Sequence, residues 1–258
     1  MDVLVTGGTG VLGSRVVERL RRGGHRARVL SRRPGGGDRV VGDLATGEGL
    51  AEAVRGMEVV VHAGSATAQQ WKARATDVEG TARLLEAARA AGVRHFVHVS
   101  IVGIDRLTAN PYYRHKLAAE ERVRAGGVPW SILRATQFHA LLDRMLGALC
   151  ALPGLALVPR GWRFQPVDAD EVAARLVEAA AAPPAGMLPD MGGPGVRALD
   201  DLARAWLDAR GRRAWLARLP VPGAMSRGLA AGALLSPDHR DGRVTWEQYL
   251  DRTYGRRR

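Results

Sequence analysis

The segment Thr6-Gly7-Gly8-Thr9-Gly10-Val11-Leu12-Gly13 constrains this chain more than any other. It follows the apolar run Val3–Thr6 and leads straight into the amphipathic stretch Leu12–Arg22. In such a strand–turn–helix unit the early glycines allow a tight turn and a close approach of backbone N–H groups to a ligand, and Gly13 lets the helix pack near the sheet. The helix N-terminus adds unpaired N–H groups and a partial positive charge, the combination that receives phosphate. A glycine run alone is weak, but the strand before it and the helix after it supply the context the motif requires.

The first half of the chain keeps alternating in the same way. Short β-branched or aliphatic runs at Val3–Thr6, Ala27–Ser31, Arg39–Val41, Val59–His62, Phe96–Ser100 and Trp130–Arg134 predict strands. Amphipathic stretches such as Leu12–Arg22, Asp77–Ala91 and Tyr113–Ala125 are long enough for the crossovers that parallel strands need. The expected fold is therefore α/β, a doubly wound parallel sheet of the Rossmann type. Beyond residue 135 the period loosens, although helices are expected at Asp170–Ala182, at Leu199–Ala209 and at Thr245–Tyr254 with Thr245 as cap. We read residues 1–258 as a single domain in which about 136–165 and 186–258 form a small C-terminal subdomain capping the substrate side.

The end of the second strand bears on the cofactor. Val29-Leu30-Ser31-Arg32-Arg33 carries no carboxylate to hold a ribose 2′-hydroxyl, whereas Ser31 with Arg32 or Arg33 suits a 2′-phosphate, so NADP(H) is expected. Asp43, followed by Leu44, can reach an adenine amino group or cap a turn. Small residues at Ala63-Gly64-Ser65 would let the nucleotide lie against the sheet edge, and His62 before them reads as structural.

Ser100 closes the fifth strand at its carboxyl end, the side on which ligands of open α/β sheets lie. Tyr112 and Lys116 follow, four residues apart. Residues at i and i+4 share a helix face, so the Lys116 ammonium can stand beside the Tyr112 phenol and favour the phenolate that acid–base work requires. Lys72 and Lys116 are the only lysines in the chain, which makes coincidence a poor account of the spacing. Packing of the aromatic pair with a solvated lysine is the structural alternative.

These segments, together with Ser100-Ile101-Val102-Gly103-Ile104-Asp105, Tyr112 through Glu120, Trp130-Ser131-Ile132-Leu133-Arg134 and Gln165 through Ala173, resemble the short-chain dehydrogenase/reductase superfamily, in particular its atypical, NmrA-like, NAD(P)H-binding branch. The resemblance covers nearly the whole chain. It implies a Rossmann domain carrying NADP(H), with Tyr112 as proton donor, Lys116 as its activator and ribose anchor, and Ser100 as the group polarising a carbonyl. It also implies the alternatives found in that branch: a redox-sensing regulatory protein without turnover, or a nonredox enzyme of the cyclase, isomerase or epimerase type.

The substrate expectation is an apolar or aromatic ketone or quinone, held among Phe138, His139, Leu142, Met145, Trp162, Phe164, Met225 and Leu235, with Phe138, His139 and Trp162 as the nearest candidates. Composition narrows the partners. The formal charge of +12 comes from arginines found in every segment, with no nucleic-acid-binding motif beside them, and the run Arg256-Arg257-Arg258 reads as a solvated tail. No nucleic-acid partner and no metal are expected. One cysteine, Cys150, forms no internal disulfide and fits a reducing cytoplasm. No apolar run approaches the roughly 18 residues of a bilayer span, and Met1 passes directly into a strand pattern, so neither a membrane nor a secretory route is expected. A monomer or homodimer is expected.

Overall fold

The computed structural model describes residues 1–66 and 74–255, so the terminal run Arg256–Arg258 lies outside the described residues. Two compact units emerge, one comprising Met1–Ser100, Asn110–Arg134 and Ala169–Pro189, the other Ile101–Ala109, Ala135–Asp168 and Asp190–Arg258.

The first unit is a seven-stranded sheet. Its strands are β1 (Asp2–Thr6), β2 (Arg26–Ser31), β3 (Arg39–Val41), β4 (Val59–His62), β5 (His95–Ile101), β6 (Trp130–Ala135) and, after a gap in sequence, β9 (Gly186–Met187). They lie in the order β3-β2-β1-β4-β5-β6-β9, and the recorded pairings are parallel. The chain reverses its direction of travel across the sheet between β1 and β4, the switch point at which doubly wound sheets bind ligands. Every residue of β4 is buried, as expected of a central parallel strand covered on both faces.

Helix α1 (Val11–Arg22) packs on α6 (Ala169–Ala181), while α3 (Gly80–Ala90) packs on α2 (Leu50–Val54) and α4 (Pro111–Ala125). Leu4, Val60, Phe96 and Ile132 of the sheet meet Leu84, Leu85 and Val123 of α3 and α4 in one cluster. Full burial of such a side chain stabilises by about 1.5–3 kcal/mol. At the other pair of helices Arg19 of α1 donates to both carboxylate oxygens of Asp170 at 2.8 and 2.6 Å.

Two boundaries differ from the sequence reading, each for a local reason. Helix α4 starts at Pro111, because Asn110 accepts a hydrogen bond from the Tyr112 amide at 2.9 Å and proline is tolerated at the first helical position. The stretch expected to be helical from Asp77 instead begins as a π-helical turn, Arg74–Glu79, and α3 starts only at Gly80. A Cβ on Gly80 would stand 2.7 Å from the Leu44 carbonyl oxygen, so glycine permits this close approach.

The second unit is built differently. Strands β7 (Gly154–Pro159) and β11 (Ala214–Leu219) form one parallel pair, and β8 (Arg163–Phe164) and β10 (Arg197–Ala198) an antiparallel one. Around them stand α5 (His139–Leu149), α7 (Leu199–Ala209), α8 (Ala224–Ala231) and α9 (Trp246–Tyr254). Thr245 caps α9 in a reciprocal box with Gln248, as its sequence suggests.

Much of this unit is tied by side chains. The fully buried Gln165 amide donates to the carbonyls of Gly193, Ser236 and His239 and accepts from the Ser236 amide. Gln137 bridges Leu234 and Gln165, and Thr136 donates to the Gln165 carbonyl. Asp143 accepts from Trp206 Nε1, Tyr249 and Tyr254 at 2.6, 3.0 and 2.6 Å.

Candidate active site

The glycine loop closes the end of β1. Gly7 has φ of 67°, and a Cβ there would lie 2.6 Å from the Ala63 carbonyl oxygen. Both facts require glycine. A Cβ on Gly13 would collide with the Gly7 carbonyl, and one on Gly8 would come within 2.8 Å of Val29. Thr9, Gly10 and Val11 are exposed, whereas Leu12 and Gly13 are buried in the start of α1. No side chain caps α1, and its first turn holds no acidic residue. Its N–H groups and positive end are therefore open to a phosphate, and the residues present fit a bound dinucleotide.

A hydrogen-bond chain fixes the neighbouring strand end. The Gly64 amide donates to Thr6 Oγ1 at 3.1 Å, and that hydroxyl lies 2.7 Å from His62 Nδ1. On the other side His62 Nε2 lies 2.9 Å from Thr81 Oγ1, which donates to the Asp77 carbonyl at 2.6 Å. Since Thr81 spends its proton on Asp77, it must accept from His62 Nε2, and Nδ1 must accept from Thr6. His62 is thus a neutral imidazole in one tautomer. Burial, then the Lys116 charge, pushes its pKa down to about 3. The Asp77 carboxylate, also buried, accepts from Ser65 Oγ and the Ala66 amide at 3.0 Å each.

At the end of β2, Ser31 Oγ donates to the Arg33 carbonyl and accepts from the Arg33 amide, forming a turn that carries Arg32 and Arg33 on the surface. Neither arginine side chain is paired with a carboxylate among the described residues. Asp43 accepts from the Ala45 amide at 2.8 Å through one oxygen. Leu44 is buried in the core cluster, where its side chain packs against Gly64.

Ser100 and Lys116 are both buried, and Tyr112 and Tyr113 are half-buried. Tyr112 and Lys116 stand one turn apart on α4. Lys116 acts electrostatically on His62 and His98, lowering the pKa of each. Ser100 Oγ has no hydrogen-bond partner, so Tyr112 and Ser100 are not bonded to each other. Burial, then the neighbouring Tyr112, pushes the Tyr113 phenol up to about 12, which keeps it protonated and unsuited to proton exchange near neutral pH.

Sequence reasoning missed two neighbours. His98, two residues before Ser100 on the same strand face, stacks on His62 at 5.1 Å, and neither of its ring nitrogens is bonded. Burial, then Lys116, lowers its pKa well below the ordinary value. Glu120, four residues after Lys116, is fully buried and accepts three 2.8 Å hydrogen bonds, two from Arg134 and one from Arg124. Burial alone would raise its carboxyl, but Arg134, helped by Ser100 at a longer range and by Arg124, holds it below the usual range. The signal was in the i, i+2 and i, i+4 spacings around Ser100 and Lys116.

The remaining candidates belong to the second unit. Phe138 caps α5 and bridges to Val167. His139 is buried with both ring nitrogens unbonded; it stacks on Tyr249 at 5.0 Å, with Nδ1 4.0 Å from Asp168. Burial pushes its pKa down to about 4, with Asp168 opposing. Trp162 donates to Ser226 Oγ at 2.8 Å. Leu142, Phe164 and Leu235 are buried as core.

An open parallel sheet with a glycine turn feeding an uncapped helix defines a dinucleotide-binding α/β protein. A family model described as NAD(P)H-binding matches residues 7–144. The chain belongs to that family, within the NmrA-like part of the short-chain dehydrogenase/reductase superfamily.

Among relatives, it is 32% identical to a ceramide reductase of Caulobacter vibrioides over 90% of this chain and 77% of that protein. It is 27% identical to a photosystem II assembly factor, Ycf39, of Trieres chinensis over 54% of this chain and 46% of that one. It therefore spans about half the length of the second relative. Among solved structures, a short-chain dehydrogenase/reductase superfamily protein from Agrobacterium tumefaciens with bound NAD gives a TM-score of 0.77 at 25% identity, covering 98% of this chain and 96% of that one. The NADPH-dependent quinone oxidoreductase QOR2 of Escherichia coli, with NADPH, gives 0.78 at 17% identity over 98% and 99%. The latter likeness shows the fold. The family is oxidoreductase-like and uses a nicotinamide cofactor.

Proposed function

We propose that this protein is an NADPH-dependent reductase of an apolar carbonyl compound, a ketone or quinone. The observation that carries the reading is the buried Lys116 one turn from Tyr112 on α4, together with a buried, unbonded Ser100 hydroxyl at the carboxyl end of β5. An unsatisfied buried hydroxyl is costly unless a ligand completes it.

In this reading the Gly7–Gly13 loop and the N-terminus of α1 hold the pyrophosphate, and Arg32 or Arg33 holds a 2′-phosphate. Thr6, Gly64 and Ser65 present the strand edge, and Asp43 the adenine contact. The dinucleotide, when bound, supplies the hydride. Tyr112 gives the proton to the substrate oxygen, Lys116 stabilises the phenolate left behind, and Ser100 donates a hydrogen bond to the same oxygen. Glu120 is fixed by Arg134 and Arg124. The reductase names among the relatives support the class.

The test is NADPH oxidation against a panel of apolar ketones and quinones, with Tyr112→Phe as the control. Turnover by the parent and its loss in the variant, with NADPH binding retained, is the expected result. Equal behaviour of the two proteins, or no oxidation with any carbonyl, overturns it.

A further inference from the structure

The parallel pair β7–β11 buries one face and leaves the other partly open, with Leu155, Leu157 and Ala217 half-buried and Trp215 and Leu219 exposed. On the covered face Ala156 and Val158 are buried, and Arg218 reaches Asp200 on α7 at 2.5 Å. Alternation then turns Arg213, Trp215, Ala217 and Leu219 outward, beside Leu155 and Leu157 in register with Trp215 and Ala217. Trp215 is 72% exposed and Leu219 42%. The flanking Leu152 and Val221 add 51% and 41%. Six-residue strands make this an apolar face roughly 20 Å long.

The charge around it is one-sided. Between Arg144 and Val167 there are three arginines and no carboxylate, and between Ala209 and Pro237 five arginines and no carboxylate. Arg213 lies on the outward face, Arg160 and Arg227 are also exposed, and none of the three is paired with a carboxylate among the described residues. Arginines occur throughout the chain; acidic residues are absent from these two stretches themselves, and Asp200 reaches them only at Arg218, on the covered face.

We infer that this face docks on the surface of an anionic lipid bilayer. An exposed tryptophan with aliphatic neighbours suits the headgroup boundary, and the acid-free arginines suit anionic headgroups. A second copy of the chain would bring like charge against like. A nucleic acid would be met by aliphatic side chains where its phosphates require cations. No described helix is long and apolar enough to cross a membrane, but docking on a surface needs no span. The inference stands on the second unit alone, whatever chemistry Tyr112 performs.

Co-sedimentation of the full chain with phosphatidylcholine vesicles, with and without about one-third phosphatidylglycerol, tests it. Binding is expected to the anionic vesicles only and to fall as salt is raised to about 0.5 M. The double variant Trp215→Ser/Leu219→Ser, at exposed positions, is expected to lower partitioning roughly tenfold or more with unchanged thermal stability and NADPH affinity. Arg213→Glu is expected to weaken binding to anionic vesicles too. The inference is overturned by absence of binding to anionic vesicles at low salt, or by variants that partition like the parent. A solution dimer broken by Leu219→Arg, or retention by duplex DNA that ignores Trp215, would also overturn it.

Discussion

The two units hold themselves together by different means. In the first, backbone ladders run across seven strands and apolar side chains fill both sides, so the hydrogen bonds follow from the strand period. In the second, Gln137, Gln165, Thr136 and Asp143 carry bonds that no short two-stranded sheet could supply. A ladder spreads its stability over many residues. A side-chain latch concentrates it in a few, and those few become the points of failure.

The largest effect expected lies in the first unit and concerns chemistry. Tyr112→Phe should lower kcat about 10²–10⁴-fold while leaving the melting temperature unchanged, read by steady-state turnover beside thermal unfolding. An equal drop in stability would make Tyr112 a packing residue. Next comes the latch. Gln165→Leu strands buried carbonyls and the Ser236 amide, and should cost about 3 kcal/mol or more, with amide exchange accelerated first in the second unit. Exchange that rises evenly in both units would erase the contrast.

The buried histidines give a third test, and they sit in both units. Native His139 binds its proton only near pH 4 and His62 near 3, whereas in the unfolded chain they bind near 6.5. Their contribution to stability is therefore complete above pH 6.5 and shrinks as pH falls from there. From pH 6.5 to 5 the loss is about 2 kcal/mol per histidine. Denaturant unfolding of His139→Phe across that range should show a shallower slope than the parent, and an identical slope would exclude His139 as a contributor. The smallest effect concerns the cofactor: Arg32→Ala with Arg33→Ala should weaken NADPH binding about tenfold and leave NADH unchanged, as measured by calorimetry. Equal losses for both dinucleotides would remove these residues from the 2′-phosphate.

The same contrast explains what could be read from the residues alone. The first six strands of the first unit fall within one or two residues of expectation, because buried parallel strands spell themselves out as Val59-Val60-Val61 and Val97-His98-Val99 do, whereas the two-residue β9 lies in a stretch read as loop. The glycine turn was legible because Gly7 and Gly13 answer to steric demands that no other residue meets. Glu120 and His98 were not singled out, since their importance depends on Arg134 and His62, which reach them from other strands. The second unit keeps its period in helices such as α7 and α9, and its short strands show little. Gln165 in the run Phe164-Gln165-Pro166 resembles any loop glutamine until Ser236 and His239 fold against it.

The bonds from Gly64 to Asp77 all point one way, each hydroxyl giving to the next acceptor. A proton added at His62 Nδ1 could be kept only if Thr6 turned its own hydroxyl away, and burial beside the Lys116 charge opposes the added charge. Acidification over the ordinary physiological range therefore finds no foothold there. In the folded chain the floor beneath the nucleotide loop keeps its protonation state across cellular pH, and its acid response lies in the unfolded chain, where His62 takes up the proton.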